Sequence, residues 1–285
     1  MSYHYEFADI RLEVRMPEEQ RYSDHGVLRA FYSEPISSPD HSLSICLVDA
    51  LSSPDGSCVY QDVGKQIYQT EDSIIRYAGN QDRQHLRIQR QGHFSQVQCL
   101  RKAYPAGVTP KVVLNSLEAE HLIVRNRGVL LHASFIRMGD SAILFTAPSG
   151  TGKSTQADLW CKYRNAELIN GDRAAVMVRD DGIYACGIPF AGSSGVAKAA
   201  KLPLRAIVYL AQAPENRIEA LKGFSAFRNV WEGCSLHTWD REDLSLASDC
   251  VLKILDRVPV FHLRCRPDEG AVDALYSVLH DRGCI

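Results

Sequence analysis

Residues 142–155 read Ala142-Ile143-Leu144-Phe145-Thr146-Ala147-Pro148-Ser149-Gly150-Thr151-Gly152-Lys153-Ser154-Thr155. The opening apolar run suits a central strand buried on both faces. A helix pattern with Ala157, Leu159 and Trp160 follows the glycine-rich stretch. Strand, glycine-rich loop and helix in that order are the setting in which a Gly-Lys-Ser motif binds phosphate. Glycines at 150 and 152 let the backbone turn its N–H groups toward one point, and the helix start adds a partial positive charge there. Ser149, Gly150, Thr151, Gly152, Lys153, Ser154 and Thr155 are therefore the candidate nucleotide-binding residues. Lys153 is placed to reach the β- and γ-phosphates, and the Ser154 hydroxyl to ligate magnesium. The implied ligands are ATP, or another nucleoside triphosphate, and Mg2+. Ala147 stands where the pattern has its first glycine, a change the loop tolerates if φ there is negative.

A loop of this kind needs an acid for the metal at the end of a neighbouring strand. Glu167-Leu168-Ile169-Asn170-Gly171-Asp172-Arg173 supplies Asp172. The same stretch also reads as an Asn-Gly turn, and a turn can present a ligand.

Outward from this centre, the pattern divides the chain near residue 105. Ile10, Leu12, Val14 and Met16 alternate with charged residues, the period of a half-buried strand. Short runs follow at 43–48, 58–61, 66–70, 73–77, 85–89 and 93–100, with turn residues between them. This predicts an antiparallel meander of about 100 residues. From Thr109-Pro110, a cap followed by a first-turn proline, Val112, Val113, Leu117, His121 and Val124 predict one helix ending at Gly128. Beyond it, strands are expected at 129–136, 141–146, 167–169, 174–178, 183–186, 204–210 and 258–263. Helices are expected at 153–163, near 223–233, at 241–256 and from Pro267. The expected fold class is α+β or α/β, with an N-terminal antiparallel β domain over 1–104 and a P-loop domain over 105–285.

Composition narrows the function classes. With 32 basic and 34 acidic side chains the net charge is −2, so no basic surface argues for nucleic acid. No apolar run reaches the roughly 20 residues of a membrane span, and the N-terminus lacks a signal-peptide core, so a cytoplasmic protein with no membrane partner is expected. Nine cysteines, among them Cys46, Cys186 and Cys250, show no metal-finger or redox spacing and read as small buried hydrophobes.

Leu131-His132-Ala133-Ser134, Ser149-Gly150-Thr151-Gly152-Lys153-Ser154 and Gly171-Asp172-Arg173 together resemble the C-terminal catalytic domain of HPr kinase/phosphorylase, a family related to phosphoenolpyruvate carboxykinase. The resemblance spans about residues 128–200, with the P-loop following an antiparallel hairpin. It implies a kinase that phosphorylates a protein or peptide serine, with His132 and Asp172 beside Lys153 in catalysis. That family carries two adjacent aspartates where this chain has Gly171-Asp172. The base that takes the acceptor proton is then His132 or Asp172. The longer signature of the bifunctional enzymes is missing, which argues against reversal with inorganic phosphate.

Other readings of the same residues stay open. His132 also reads as a core histidine bonded to a carbonyl. Residues 187–195, Gly-Ile-Pro-Phe-Ala-Gly-Ser-Ser-Gly, are either an ordinary turn or an acceptor loop in which Pro189, Gly192, Ser193 and Ser194 meet the substrate. Lys198, Lys201 and Arg205 read as a solvated basic face. The leading function is a Mg-dependent kinase acting on a serine hydroxyl of a peptide or protein, with the β domain recognising the acceptor. Its rivals are a small-molecule kinase on the same scaffold and a nucleotide-binding regulatory module. The sequence leaves the acceptor, the purine and the oligomeric state open, homo-oligomers included.

Overall fold

The computed structural model describes residues 1–18, 22, 26–80 and 83–285. They form two compact units, Met1–Glu118 and Ala119–Ile285.

The first unit is built on strands β1 (Ser2–Phe7), β2 (Ile10–Arg15), β3 (His41–Val48), β4 (Ser57–Asp62), β5 (Lys65–Gln69), β6 (Ile74–Asn80), β7 (Arg83–Gln91) and β8 (Phe94–Leu100), followed by helix α1 (Pro110–Ser116). The sheet order is β1-β2-β3-β8-β7-β6-β5-β4. Strands β4 to β8 form the expected antiparallel meander. The rest corrects the all-antiparallel expectation, because β3 runs parallel to both β2 and β8. A long connection from β2 lets β3 enter in the same direction, which a two-residue turn cannot do. Leu12, Val14, Leu43, Ile45, Ile67, Ile75, Ile88 and Val97 fill the core.

The single helix expected from Thr109 to Gly128 is broken. Helix α1 ends at Ser116, and Glu118 takes a positive φ of 47°. Its buried carboxylate lies 3.1 Å from Arg90 Nε and 3.6 Å from Arg76 Nε. Two guanidinium partners hold the side chain in the first unit, and the left-handed backbone ends the helix. The two compact units divide between Glu118 and Ala119, at this break. Thr109 precedes the helix as expected but makes no side-chain capping bond.

The second unit contains α2 (Ala119–Arg125), β9 (Gly128–Met138), β10 (Ser141–Thr146), α3 (Lys153–Arg164), β11 (Glu167–Asn170), β12 (Arg173–Val178), β13 (Ile183–Cys186), β14 (Lys201–Gln212), β15 (Arg217–Leu221), α4 (Gly223–Gly233), β16 (Cys234–Ser235), α5 (Arg241–Leu255), β17 (Val260–Cys265) and α6 (Glu269–Asp281). Strands run in the order β10-β9-β12-β13-β14-β17-β15, and β10 also pairs with β14. The contacts of β14 with β10 and with β17 are parallel, so these three strands end on the same edge. Successive residues of β10 face opposite layers. Ala142 and Leu144 join the core under α4 and α5, while Ile143 and Phe145 join Trp160 of α3 and Leu275 of α6. Helices thus cover both faces, and the continuous apolar run of β10 is accounted for. Strands β15 and β16 were not anticipated. No helix among the described residues is long and apolar enough to cross a membrane.

Candidate functional site

Strand β10 delivers the chain into the glycine-rich loop, and α3 begins at Lys153. Gly150 and Gly152 take φ values of 78° and 117°, the left-handed region that glycine enters freely. Nothing stands within 4 Å of a side chain imagined at either position, so the loop is open on that side. Ala147 is not among the residues at positive φ, which explains why alanine serves there. No side chain caps α3, and no acid lies in its first turn. Its free N–H groups therefore keep their capacity for an anion.

Lys153 is buried, and its Nζ donates to the carbonyl oxygens of Ala147 at 2.9 Å and Pro148 at 3.4 Å. Burial pushes its pKa down, and the charge of Asp172 opposes that shift. Ser149, Ser154 and Thr155 are exposed, with Thr151 and Gly152 partly so.

Strand β9 brings the remaining candidates to this loop. Ala133 pairs with Thr146 on one side, and His132 pairs with Arg173 on the other. The end of β10 and the turn carrying Asp172 thus flank the same two residues. Ala133 N donates to Asp172 O at 3.0 Å, Ser134 Oγ to Gly171 O at 3.2 Å, and Thr146 Oγ1 to His132 O at 3.0 Å. The Asp172 carboxylate places Oδ1 3.6 Å from His132 Nδ1 and Oδ2 3.3 Å from Arg173 Nε. His132 is held below its ordinary pKa, first by burial and then by the positive charges of Lys153 and Arg173, with Asp172 acting the other way. A neutral imidazole beside a carboxylate can accept a proton.

Three residues escaped the sequence reading. Asn170 is fully buried and bridges two loops. Its Oδ1 accepts from the backbone N–H groups of Asp172 at 2.9 Å and Arg173 at 3.0 Å. Its Nδ2 donates to Ile188 O at 3.0 Å and Phe190 O at 2.9 Å. Asn170 was visible only as part of a turn; its role depends on the distant loop. Arg173 pairs with Asp172, and its Nη1 lies 3.5 Å from Glu120 Oε1 on α2.

That bridge brings the 187–195 loop to the acid. A Cβ on Gly192 would stand 2.5 Å from Asp172 Cβ, and one on Gly171 would stand 2.4 Å from Ser194 Oγ. Gly192, Ser193 and Ser194 are exposed, whereas Pro189 is buried. Ser194 Oγ donates to Ala191 O at 2.8 Å and accepts from Val196 N at 3.2 Å, bonds internal to the loop. Lys198 is paired with Glu167 at 2.7 Å, which removes it from the site.

A second grouping of potential ligands, His121, Asp240 and Asp243, sits at the start of α5. His121 Nδ1 lies 2.7 Å from Asp243 Oδ2, Arg125 Nε lies 2.8 Å from Asp243 Oδ1, and Asp240 caps the helix. A guanidinium already occupies the place a cation would take, so this is a structural ion-pair network. The cysteines form no disulfide among the described residues. Cys99, Cys186, Cys250 and Cys284 are buried, as the hydrophobe reading expected, while Cys58 is exposed.

No family model matches the chain, and no curated protein matches it. Among solved structures it is similar to the Hpr(Ser) kinase/phosphatase from Coxiella burnetii, at 14% identity and a TM-score of 0.31. That alignment covers 54% of this chain and 94% of the other, a likeness too slight to bear on the chemistry.

Proposed function

We propose that the protein is a Mg-dependent kinase that transfers the γ-phosphoryl group of ATP to a hydroxyl, a serine in a peptide or protein. The observation that carries this reading is the uncapped, acid-free start of α3 behind two left-handed glycines, with buried Lys153 at its centre.

The loop N–H groups and Lys153 hold the phosphates, Lys153 exchanging its bonds to Ala147 and Pro148 for phosphate oxygens. Ser154 and Asp172 fit a hard cation, since both offer oxygen, and they are the residues that would hold it. Held there, Mg2+ would neutralise part of the charge on the phosphoryl groups. The acceptor oxygen attacks the γ-phosphorus, the bond to the β–γ bridging oxygen breaks, and ADP leaves. His132 takes the hydroxyl proton, with Asp172 orienting the ring and stabilising the cation that forms. Most of the catalysis is positioning and charge stabilisation, so one base suffices.

An acceptor carried on a chain is favoured over a small metabolite by the exposure of Gly192, Ser193 and Ser194 next to Asp172. The sheet of the first unit is the proposed recognition module. The test is phosphate transfer from labelled ATP to a panel of serine-containing peptides, with free serine and small alcohols in parallel. Peptide labelling that disappears in Lys153→Met supports the reading. Labelling of small alcohols alone gives the metabolite alternative, and nucleotide binding without transfer to any acceptor gives the regulatory one.

A further inference from the structure

Beside the loop lies a pocket of about 600 Å³ that reaches beyond the residues given to the phosphates. Its floor is Gly150–Gly152 and the first turn of α3, and its far wall is the edge where β14 and β17 end. That volume falls within the range of small-molecule sites. Parallel strands of an α/β sheet bind ligands beyond their carboxyl ends, and β10, β14 and β17 all end here.

The walls suit a nucleoside better than a second anion. Ala211, Cys265 and Pro267 give apolar surface, and the lining contains no carboxylate. Burial pushes the Cys265 thiol up to about 11, so it stays neutral at physiological pH. Gln156 is almost fully buried, lines the pocket, and its Nε2 has no hydrogen-bond partner. A buried amide donor without an acceptor is a defect that a ligand can repair. Gln212 approaches from the other side, its Nε2 donating to Thr151 O at 3.4 Å. Arg266 is exposed at the rim, with its Nε 2.9 Å from Asp268 Oδ2. A guanidinium there can stack on an aromatic plane.

We propose that this pocket takes the base and ribose of the nucleoside triphosphate whose phosphates the loop holds, with Ala211 and Cys265 walling the base, Arg266 covering it, and the buried Gln156 amide offering a hydrogen bond. The inference rests on reading the loop as a polyphosphate cradle. It assigns base recognition to residues that no phosphate motif includes.

The test compares Mg-ATP with inorganic tripolyphosphate, titrated calorimetrically into the full chain and two variants. Ala211→Trp fills the pocket from its strand wall, and Arg266→Ala removes the rim cation. Expected is a loss of ATP affinity of about tenfold or more in Ala211→Trp and about three-fold in Arg266→Ala, with tripolyphosphate affinity unchanged within about two-fold in both. Should Ala211→Trp lose both ligands through damage to the sheet, Arg266→Ala decides alone. ATP affinity equal to wild type in both variants would overturn the pocket while leaving the loop intact. Wild-type protein that binds neither ligand would overturn the loop and the pocket together.

Discussion

His132 and Arg173 face each other across the β9–β12 ladder, and Asp172 sets its carboxylate between them, 3.6 Å from the His132 ring and 3.3 Å from the Arg173 guanidinium. The histidine therefore feels one negative and two positive neighbours, counting Lys153, on top of partial burial. The sum depresses its pKa below 6.5. A base must be neutral, so activity should hold as pH falls to 6.5 and decline only below it. Arg173→Gln removes a positive charge and should move the His132 titration and the acid limb of kcat/KM upward. Asp172→Asn should move the titration downward. NMR titration of the His132 ring reads both, and a ring indifferent to both substitutions would remove His132 from the site. The same depression makes the folded state bind fewer protons than the unfolded one. The stability it confers is present above 6.5 and is lost as pH falls through the folded pKa.

Asn170 ties the acid to the neighbouring loop through four hydrogen bonds. Asn170→Ala should cost about 2–3 kcal/mol, a fall in Tm of about 5–10 °C, because it leaves buried backbone groups unpaired. Turnover measured well below the new Tm should fall as well, since the backbone of Asp172 loses its anchor. A variant with wild-type Tm would mean that water or rearrangement satisfies these groups.

Gly171, next to Asp172, packs closely against Ser194 of the neighbouring loop. Any side chain there meets Ser194, whose Oγ and Cβ would lie 2.4 and 2.6 Å from the new Cβ. Gly171→Asp alone should destabilise the protein by about 1–3 kcal/mol through overpacking. Adding Ser194→Gly should recover most of that loss in thermal unfolding. Equal stability of Gly171→Asp and wild type would show the loop to be freely displaceable.

How far the sequence reached depended on whether the signal was local. The glycine-rich loop, its strand and its helix were legible because Gly150, Gly152 and the apolar run of β10 act within 15 residues or so of one another. Strand β1 was not, although Tyr5 and Phe7 alternate with polar residues. Its hairpin turn uses Ala8 and Asp9 at φ 52° and 59°, where Asn-Gly would have announced it. The break at Glu118 was hidden for a similar reason: the apolar spacing is helical throughout, and the ion pairs with Arg76 and Arg90 that end the helix come from strands 28 or more positions earlier. Parallel pairing of β3 likewise depends on distant neighbours. In the site, Asp172 stood out as an acid after a short strand. Asn170, Arg173 and Glu120 acquire their roles only when β9, α2 and the 187–195 loop converge.

The most direct test of the central claim is calorimetric titration of Mg-ATP into the full chain and into Lys153→Met, which keeps the apolar stem of a buried lysine and removes its charge. Expected is saturable binding at submillimolar ATP in the wild type, weakened about tenfold or more in the variant with its fold intact by circular dichroism. Absence of binding to the wild type at millimolar ATP, or equal affinity in the two proteins, would contradict the claim that this loop holds a polyphosphate around Lys153.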